Sequence, residues 1–302
     1  MISSRTPTPF ADGTAVPRRL SDAVHAAASR LAQAGVPTPD VDAELLAAHA
    51  WGTTRGALQA GMIRGDELPS PQAAALERLV DRRAAREPLQ HITGLAPFRH
   101  LTLRIGPGAF VPRPETEMVA QLAIDALRAA PTARPVAVDL CTGSGAIALA
   151  LATEVPTAQV YGVEKSVEAY IWARENLAVT RADNARFVFA DLADTPAELD
   201  GTVDVVVSNP PYVPDDAIPR DPEVRFFDPP AALYGGRDGL DVVRALSRTA
   251  LRLLRPGGAL VIEHGEWQGP AVRELLAADG WRASATHPDL TMRERATTAF
   301  RA

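Results

Sequence analysis

The sequence predicts an α/β fold, a doubly wound and mostly parallel sheet preceded by a small all-helical domain, and three observations predict it. From residue 136 onward, short β-branched apolar runs alternate with helical patterns, the signature of repeated βα units. The first 88 residues carry helical periodicity and no strand pattern. Between them, from about 91 to 111, apolar and polar residues alternate as in a β-hairpin.

Taken in order, residues 1–16 are rich in Ser, Thr, Pro and Gly and read as a disordered tail. From Arg18, Leu20, Val24, Ala27, Leu31 and Ala34 recur at helical spacing until Gly35 closes the helix. Further helices are expected at 39–50, 53–60 and 70–86, which makes 17–88 a helical domain. Leu101, Leu103 and Ile105 then alternate with Thr102 and Arg104, and Gly106-Pro107-Gly108 supplies a turn before Phe110 and Val111. This hairpin, 89–112, is expected to link the helical domain to a catalytic domain at 113–302. PRPETE, 112–117, opens a helix with acidic residues that suit its dipole. Strands follow at 136–140, 158–163, 186–190, 203–208 and 259–263, with helices at 145–153, 167–179, 239–254 and 267–278. Two last strands near 281–286 and 295–301 complete the sheet.

Composition bounds the function. The 302 residues carry 31 basic and 37 acidic side chains, a net charge of −6, with a pI near 5.6. A dedicated nucleic-acid binder usually shows a basic field, so no direct nucleic-acid contact is expected. The single cysteine, Cys141, excludes an intramolecular disulfide and a Cys-rich zinc site, and the six histidines show no ligand spacing. The first residues lack a signal-peptide pattern and no long apolar run occurs, so a cytoplasmic protein without a membrane segment is expected.

The chemistry concentrates at strand ends. VAVDLCTGSGAIALALA, 136–152, is a strand, a glycine-containing turn and a helix. Gly143 and Gly145 let a ligand approach the backbone, and the helix start offers N–H donors. Glu164 ends the next strand, 21 residues after Gly143, where a carboxylate can accept from both hydroxyls of a ribose. A dinucleotide fingerprint does not fit Cys141-Thr142-Gly143-Ser144-Gly145-Ala146, because Asp139 just before it would repel a pyrophosphate. The same carboxylate suits an amino group and a sulfonium, which points to S-adenosyl-L-methionine, with S-adenosyl-L-homocysteine as product. Asp191 follows the third strand, placed to accept from an adenine amino group while Leu192 packs on the ring.

A second feature is VDVVVSNPPYVPDD, 203–216. A near-continuous β-branched strand of the kind buried on both faces stops abruptly at Asn209-Pro210-Pro211-Tyr212. The prolines lack N–H groups and leave the chain extended, so carbonyl oxygens at this corner have no ladder donors. Ligands of open α/β sheets bind at such strand ends. A Pro-Pro pair is also an ordinary strand terminator.

With TPDVDAELLAAHAWG, RAAREPLQHITG, FVPRPETE, VDLCTGSGAIALALA, SNPPYVP, DPPAALYGGRDGL and RPGGALVIEHGEWQ in place, the chain resembles the PrmC/HemK family from Arg18 onward. Its members methylate the side-chain amide nitrogen of the glutamine in the Gly-Gly-Gln motif of class-I peptide release factors. NPPY alone is shared with DNA adenine methyltransferases; its combination with PRPETE and ALYGGRDGL is more specific. The resemblance implies a class I S-adenosylmethionine-dependent methyltransferase fold, a Rossmann-like seven-stranded sheet with a helical substrate-recognition domain and a hairpin link.

The resemblance also implies roles. Asp139 and the turn Thr142, Gly143, Ser144 and Gly145 would take the methionine moiety, Glu164 the ribose, and Asp191 with Leu192 the adenine, with Cys141 and Asn209 also at the cofactor. Asn209, Pro210, Pro211 and Tyr212 would take the glutamine: the Asn209 side-chain oxygen and the Pro210 carbonyl accept its two N–H groups, and Tyr212 packs on its plane. Cys141 stands where glycine is common, Glu164 where aspartate is common, and YGVEKSVEAYIW is unusually aromatic. Arg113 and Thr116 are candidates for the pocket wall, and 213–238 is long enough to shape the substrate site. The alternatives are a glutamine of a ribosomal protein, adenine N6 of a nucleic acid, or a protein that binds the cofactor without turnover.

Overall fold

The computed structural model describes residues 18–302, so the expected tail at 1–16 lies outside the described residues. The chain divides into two compact units, the first ending at Thr93 and the second beginning at Gly94.

The first unit comprises β1 (Arg18–Arg19), α1 (Leu20–Gln33), α2 (Pro39–Trp51), α3 (Arg55–Arg64), β2 (Glu67–Leu68), α4 (Ser70–Ala84) and α5 (Leu89–Thr93). The stripe Leu20, Val24, Ala27 and Leu31 is buried against Ala43, Leu46, Leu58, Leu76 and Val80. α3 runs past the expected 60, because Gly61 sits inside it facing Leu20 while the left-handed Gly65, φ 76°, ends it. The two-residue pairing of β1 with β2 and the short α5 were not expected; both are below the length at which periodicity registers.

The second unit opens with a hairpin, β3 (Leu95–Phe98) and β4 (Leu101–Arg104). The hairpin is closed at Arg99-His100 and not at Gly106-Pro107-Gly108, which forms the expected turn further on, with the Ala109 N–H donating to the Gly106 carbonyl at 3.4 Å. Arg99 has φ 53°, and its side chain ties the tip to Gln121 at 2.8 Å and to Glu154. These tertiary bonds override turn propensity. That second turn presses on the second unit's third helix, where a Cβ on Gly106 would come 2.5 Å from Trp172, and the Trp172 indole donates to the Pro107 carbonyl at 3.2 Å. The aromatic residues of YGVEKSVEAYIW thus have partners: Tyr170 also donates to the Phe187 carbonyl at 3.2 Å.

The rest alternates: α6 (Thr116–Arg128), β5 (Val136–Leu140), α7 (Ala146–Glu154), β6 (Gln159–Glu164), α8 (Val167–Thr180), β7 (Ala185–Phe189), β8 (Val203–Ser208), α9 (Pro222–Phe227), α10 (Pro230–Leu233), α11 (Asp241–Leu253), β9 (Leu254–Glu263), α12 (Gly269–Ala278), β10 (Arg282–Pro288) and β11 (Glu294–Phe300). PRPETE reaches the helix only at Thr116, after an irregular Pro112-Arg113 and a turn at Pro114-Glu115. The stretch 213–238 holds two short helices and a bridge between Val213 and Tyr234. Seven strands form one sheet in the order β10-β11-β9-β8-β5-β6-β7. β7, β6, β5, β8 and β9 are parallel, and β11 is antiparallel to both neighbours.

Both faces are covered, which explains why every residue of β8 is buried. One layer packs Val119, Ile124, Leu149 and Leu151 against Ala137 and Val205; the other packs Val243, Leu246, Leu253, Val272 and Leu276 against Val138, Val206 and Leu260. β5 has β6 on one side and β8 on the other, so the chain's direction through the sheet reverses there and a crevice opens at their carboxyl ends. Ser208 Oγ donates to the Leu140 carbonyl at 2.6 Å and clamps those two strand ends together.

Candidate active site

A cavity of about 830 Å³ occupies that crevice. The wall takes Cys141, Thr142, Gly143 and Ser144 from the turn after β5, Glu164 from the end of β6, and Leu192 after β7. Asn209, Pro211 and Tyr212 come from the corner after β8. Phe110, Arg113, Glu115 and Thr116 add the segment that leads into α6, and Val224 with Ala231–Tyr234 adds the 213–238 stretch.

The glycine turn is built on positive φ. Cys141 (60°), Gly143 (59°) and Gly145 (86°) all lie in the left-handed region, which explains why glycine suits position 141 and why cysteine there is strained. Two carboxylates hold the turn. Asp139 Oδ2 accepts from Thr142 Oγ1 at 2.5 Å and from the Ala148 N–H at 3.1 Å. Glu164 accepts from Gly143 N–H at 2.8 Å through one oxygen and from Lys165 and Ser166 N–H at 2.9 and 2.8 Å through the other. From behind, Asn176 in α8 bonds Ser144 O at 2.9 Å and both main-chain groups of Arg104.

Asp139 is 1% exposed and lies behind the wall, with Oδ1 meeting no donor among the described residues. Burial pushes its proton affinity up to about 7, opposed by Thr142 and Ala148. Gly145 also stands behind the wall, its missing Cβ giving room to Phe187. Asp191 sits at the rim, half-exposed, with its carboxylate on the Ala193 N–H at 3.0 Å and 3.5 Å from Lys165 Nζ. Pro210 is buried and outside the wall.

At the corner, Asn209 Nδ2 donates to Thr116 Oγ1 at 3.3 Å. Among the described residues no hydrogen bond ends on Asn209 Oδ1 or on the Pro210 carbonyl. Gln268 donates to the Tyr212 carbonyl at 3.0 Å and accepts from Gly265 N–H at 2.8 Å. Gly235 and Gly239 explain the spacing of ALYGGRDG: a Cβ on either would come 2.5 Å from Pro211 O or 2.2 Å from Tyr212 O. Arg113 reaches Asp228 at 2.7 Å and ties the α6 lead-in to the 213–238 stretch. Burial raises Asp228 to about 6 against the pull of Arg113. No role for Phe110, Glu263 or Gln268 is marked in the sequence; Glu263 and Gln268 meet Tyr212 from 51 and 56 residues away in the chain.

Comparison with known proteins bears on this geometry. The family model described as PrmC N-terminal domain matches residues 22–94, and that described as methyltransferase small domain matches 101–231. A release factor glutamine methyltransferase of Streptomyces coelicolor is 51% identical over 91% of this chain and 96% of its own. A relative from Streptomyces pristinaespiralis named 4-amino-L-phenylalanine/4-methylamino-L-phenylalanine methyltransferase is 42% identical over 91% and 93%. Among solved structures, the T. thermophilus 16S rRNA N2 G1207 methyltransferase in complex with AdoMet and guanosine shares the fold, with a TM-score of 0.51, 21% identity, and coverage of 69% of this chain and 50% of that one. Among the described residues no helix is long and apolar enough to cross a membrane. With identity at this level along nearly the whole length of both chains, the protein belongs to the release factor glutamine methyltransferase family.

Proposed function

We propose that the protein transfers a methyl group from S-adenosyl-L-methionine to the side-chain amide nitrogen of the Gly-Gly-Gln glutamine of class-I peptide chain release factors, in the cytoplasm. The observation that carries this reading is the corner after β8. A buried strand ends on an amide oxygen and a main-chain carbonyl that no described residue donates to, beside the cavity that the glycine turn also lines.

The residues present fit the cofactor. A Cβ on Gly143 would meet open space, so a ligand can lie against its backbone. Asp139 Oδ1 is a buried acceptor without a donor among the described residues, and an ammonium would satisfy it. Asp139 and the turn Cys141 to Gly145 would hold the methionine moiety, Glu164 the ribose, Asp191 and Leu192 the adenine. When bound, S-adenosylmethionine supplies a methyl made electrophilic by its sulfonium and is released as S-adenosylhomocysteine.

The lone pair of an amide nitrogen is delocalised into its carbonyl, so the protein's task is orientation. Asn209 Oδ1 and Pro210 O accept the two amide N–H groups and aim the nitrogen, and Tyr212 packs against the amide plane. Positioning of this kind supplies about 7–11 kcal/mol in favourable cases. The methylated nitrogen gives its proton to water, and no strong base is needed. A single glutamine is too small to identify a protein, so the helical unit is assigned to docking the release factor.

The test is the intact mass of a purified release factor after incubation with this protein and S-adenosylmethionine, followed by peptide mapping. One added methyl on the Gly-Gly-Gln glutamine is expected. No gain, with cofactor binding confirmed, would overturn the assignment. Free 4-amino-L-phenylalanine, run in parallel, separates it from the activity named for the Streptomyces pristinaespiralis relative.

A further inference from the structure

The two ends of the stretch 213–238 are zipped to each other beside the corner. Val213 N–H donates to the Leu233 carbonyl at 2.8 Å, Gly235 N–H to the Val213 carbonyl at 2.9 Å and Asp215 N–H to the Gly236 carbonyl at 3.1 Å. Beyond this neck, the body of the stretch, 216–232, is built differently. Its main-chain bonds include Arg225 N–H to the Asp221 carbonyl at 3.0 Å and Ala232 N–H to the Pro229 carbonyl at 2.9 Å, both internal to the body. Ile218 and Phe226 are exposed, and the two residues of the body that are buried are carboxylic acids, Glu223 at 6% and Asp228 at 4% exposure. A segment with no fully buried apolar side chain depends on polar contacts for its place.

Arg113 supplies such a contact from the segment ahead of α6. Its Nη2 donates to Asp228 Oδ2 at 2.7 Å, and the Asp228 side chain is fully buried there. The same guanidinium lies 4.9 Å over the centre of the Phe110 ring. Both partners are therefore held, the carboxylate by burial and the guanidinium by an aromatic face, in a hydrogen bond of the charge-assisted kind. Phe110 and Arg113 line the cavity on one side of this pair, and Pro229 and Ala231–Tyr234 line it on the other. α10 is thus gripped at both ends, by Arg113 just before its start and by Val213 N–H on the carbonyl of Leu233, its last residue.

We propose that Arg113 and Asp228 are positioning residues, a clasp that holds α10 as a wall of the cavity and whose opening sets how fast a bound S-adenosyl ligand leaves. This rests on the cofactor reading above. The neck serves as the hinge, because its bonds do not involve the clasp. Swinging the body outward breaks an ion pair and a ring contact but no apolar core, so such openings belong to the low-stability end of the fold. A ligand that binds the closed wall lowers their population and is released through them.

Arg113→Met keeps the length of the side chain and removes the guanidinium, while Asp228→Asn keeps the shape and removes the charge. Stopped-flow dissociation of S-adenosyl-L-homocysteine is expected to be about 10-fold faster in each, the factor carried by one hydrogen bond to a charged group. In the double variant it is expected to be no faster than in the faster single variant, because one contact can be lost only once. A residue that merely supports the fold would add its own effect. Wild-type rates in the variants, or increases that multiply in the double variant, would overturn the proposal. Should Arg113→Met fail to fold, Arg113→Lys, which keeps the charge and loses the planar fork, takes its place in the cycle.

If S-adenosyl-L-homocysteine does not bind the wild type, the cofactor reading fails by itself and the clasp is judged in the free protein. The Ala232 and Tyr234 amides, bonded to the Pro229 and Pro230 carbonyls at 2.9 and 3.0 Å, are then expected to exchange hydrogen faster in both single variants and no faster again in the double. Exchange at the wild-type rate would overturn the clasp.

Discussion

The two halves of the cavity wall are built on opposite hydrogen-bonding plans. At the glycine turn, carboxylates are spent on the protein's own backbone: Glu164 takes three main-chain N–H groups and Asp139 takes a hydroxyl and an N–H. At the corner after β8, side-chain and main-chain oxygens are withheld from the protein, and the backbone is held from behind by Gln268, Gly235 and Gly239. Each half stands over a buried carboxylate with an oxygen that meets no donor among the described residues, Asp139 in one case and Glu263 in the other. A turn that cradles a ligand by its backbone needs its own shape fixed, whereas a corner that grips an amide needs acceptors left over.

The largest effect expected from breaking this contrast is at the corner. Asn209→Ala should lower turnover by about 100-fold or more, since it removes an orienting acceptor, and titration calorimetry should find cofactor binding intact. Normal turnover would remove the corner from the chemistry. At the turn the expected pattern is reversed. Glu164→Ala strips a charged acceptor from three N–H groups, which should cost about 2 kcal/mol of stability and weaken cofactor affinity. Unchanged affinity would separate Glu164 from ligand binding.

A shared property of the two buried carboxylates gives the next prediction. Asp139 and Glu263 are both raised to about 7 in the folded chain, above the value of about 4 that carboxylates have when unfolded. The folded state therefore holds their protons more tightly, and this contribution is complete below about pH 4 and lost as pH rises through 7. The free protein should melt at a higher temperature at mildly acidic than at mildly alkaline pH, and Asp139→Asn or Glu263→Gln should each shrink the difference. A melting temperature flat across neutrality would contradict the burial of both groups. The smallest effect belongs to Cys141. Glycine there relieves a left-handed φ of 60° but adds freedom to the unfolded chain, so Cys141→Gly should change stability by less than about 1 kcal/mol in denaturant titration.

The sheet was legible because its strands are β-branched runs bounded by turns, and burial on both faces leaves that mark in any sequence. Asn209 to Tyr212 were legible for a related reason: prolines that end a buried strand are locally conspicuous. The turn at Gly106-Pro107-Gly108 was legible from its own residues, whereas the hairpin's closure at Arg99-His100 was not, because Arg99 draws its preference from Gln121 and Glu154, distant in sequence. Arg113 and Thr116 were legible as wall residues, but the Asp228 partner of Arg113 escaped for the same cause. Both ends lie in conspicuous segments, but the pairing spans 115 residues and is made by the fold.

Asn176 gives the cavity a reach beyond its own wall. One fully buried amide joins the Ser144 carbonyl, within the glycine turn, to both main-chain groups of Arg104, at the end of the hairpin. Openings of the hairpin that break these bonds also release the turn, so a ligand that binds only the closed turn lowers the population of both at once. Occupancy of the cavity should therefore be readable as slowed amide hydrogen exchange at Arg104, a position that does not line it.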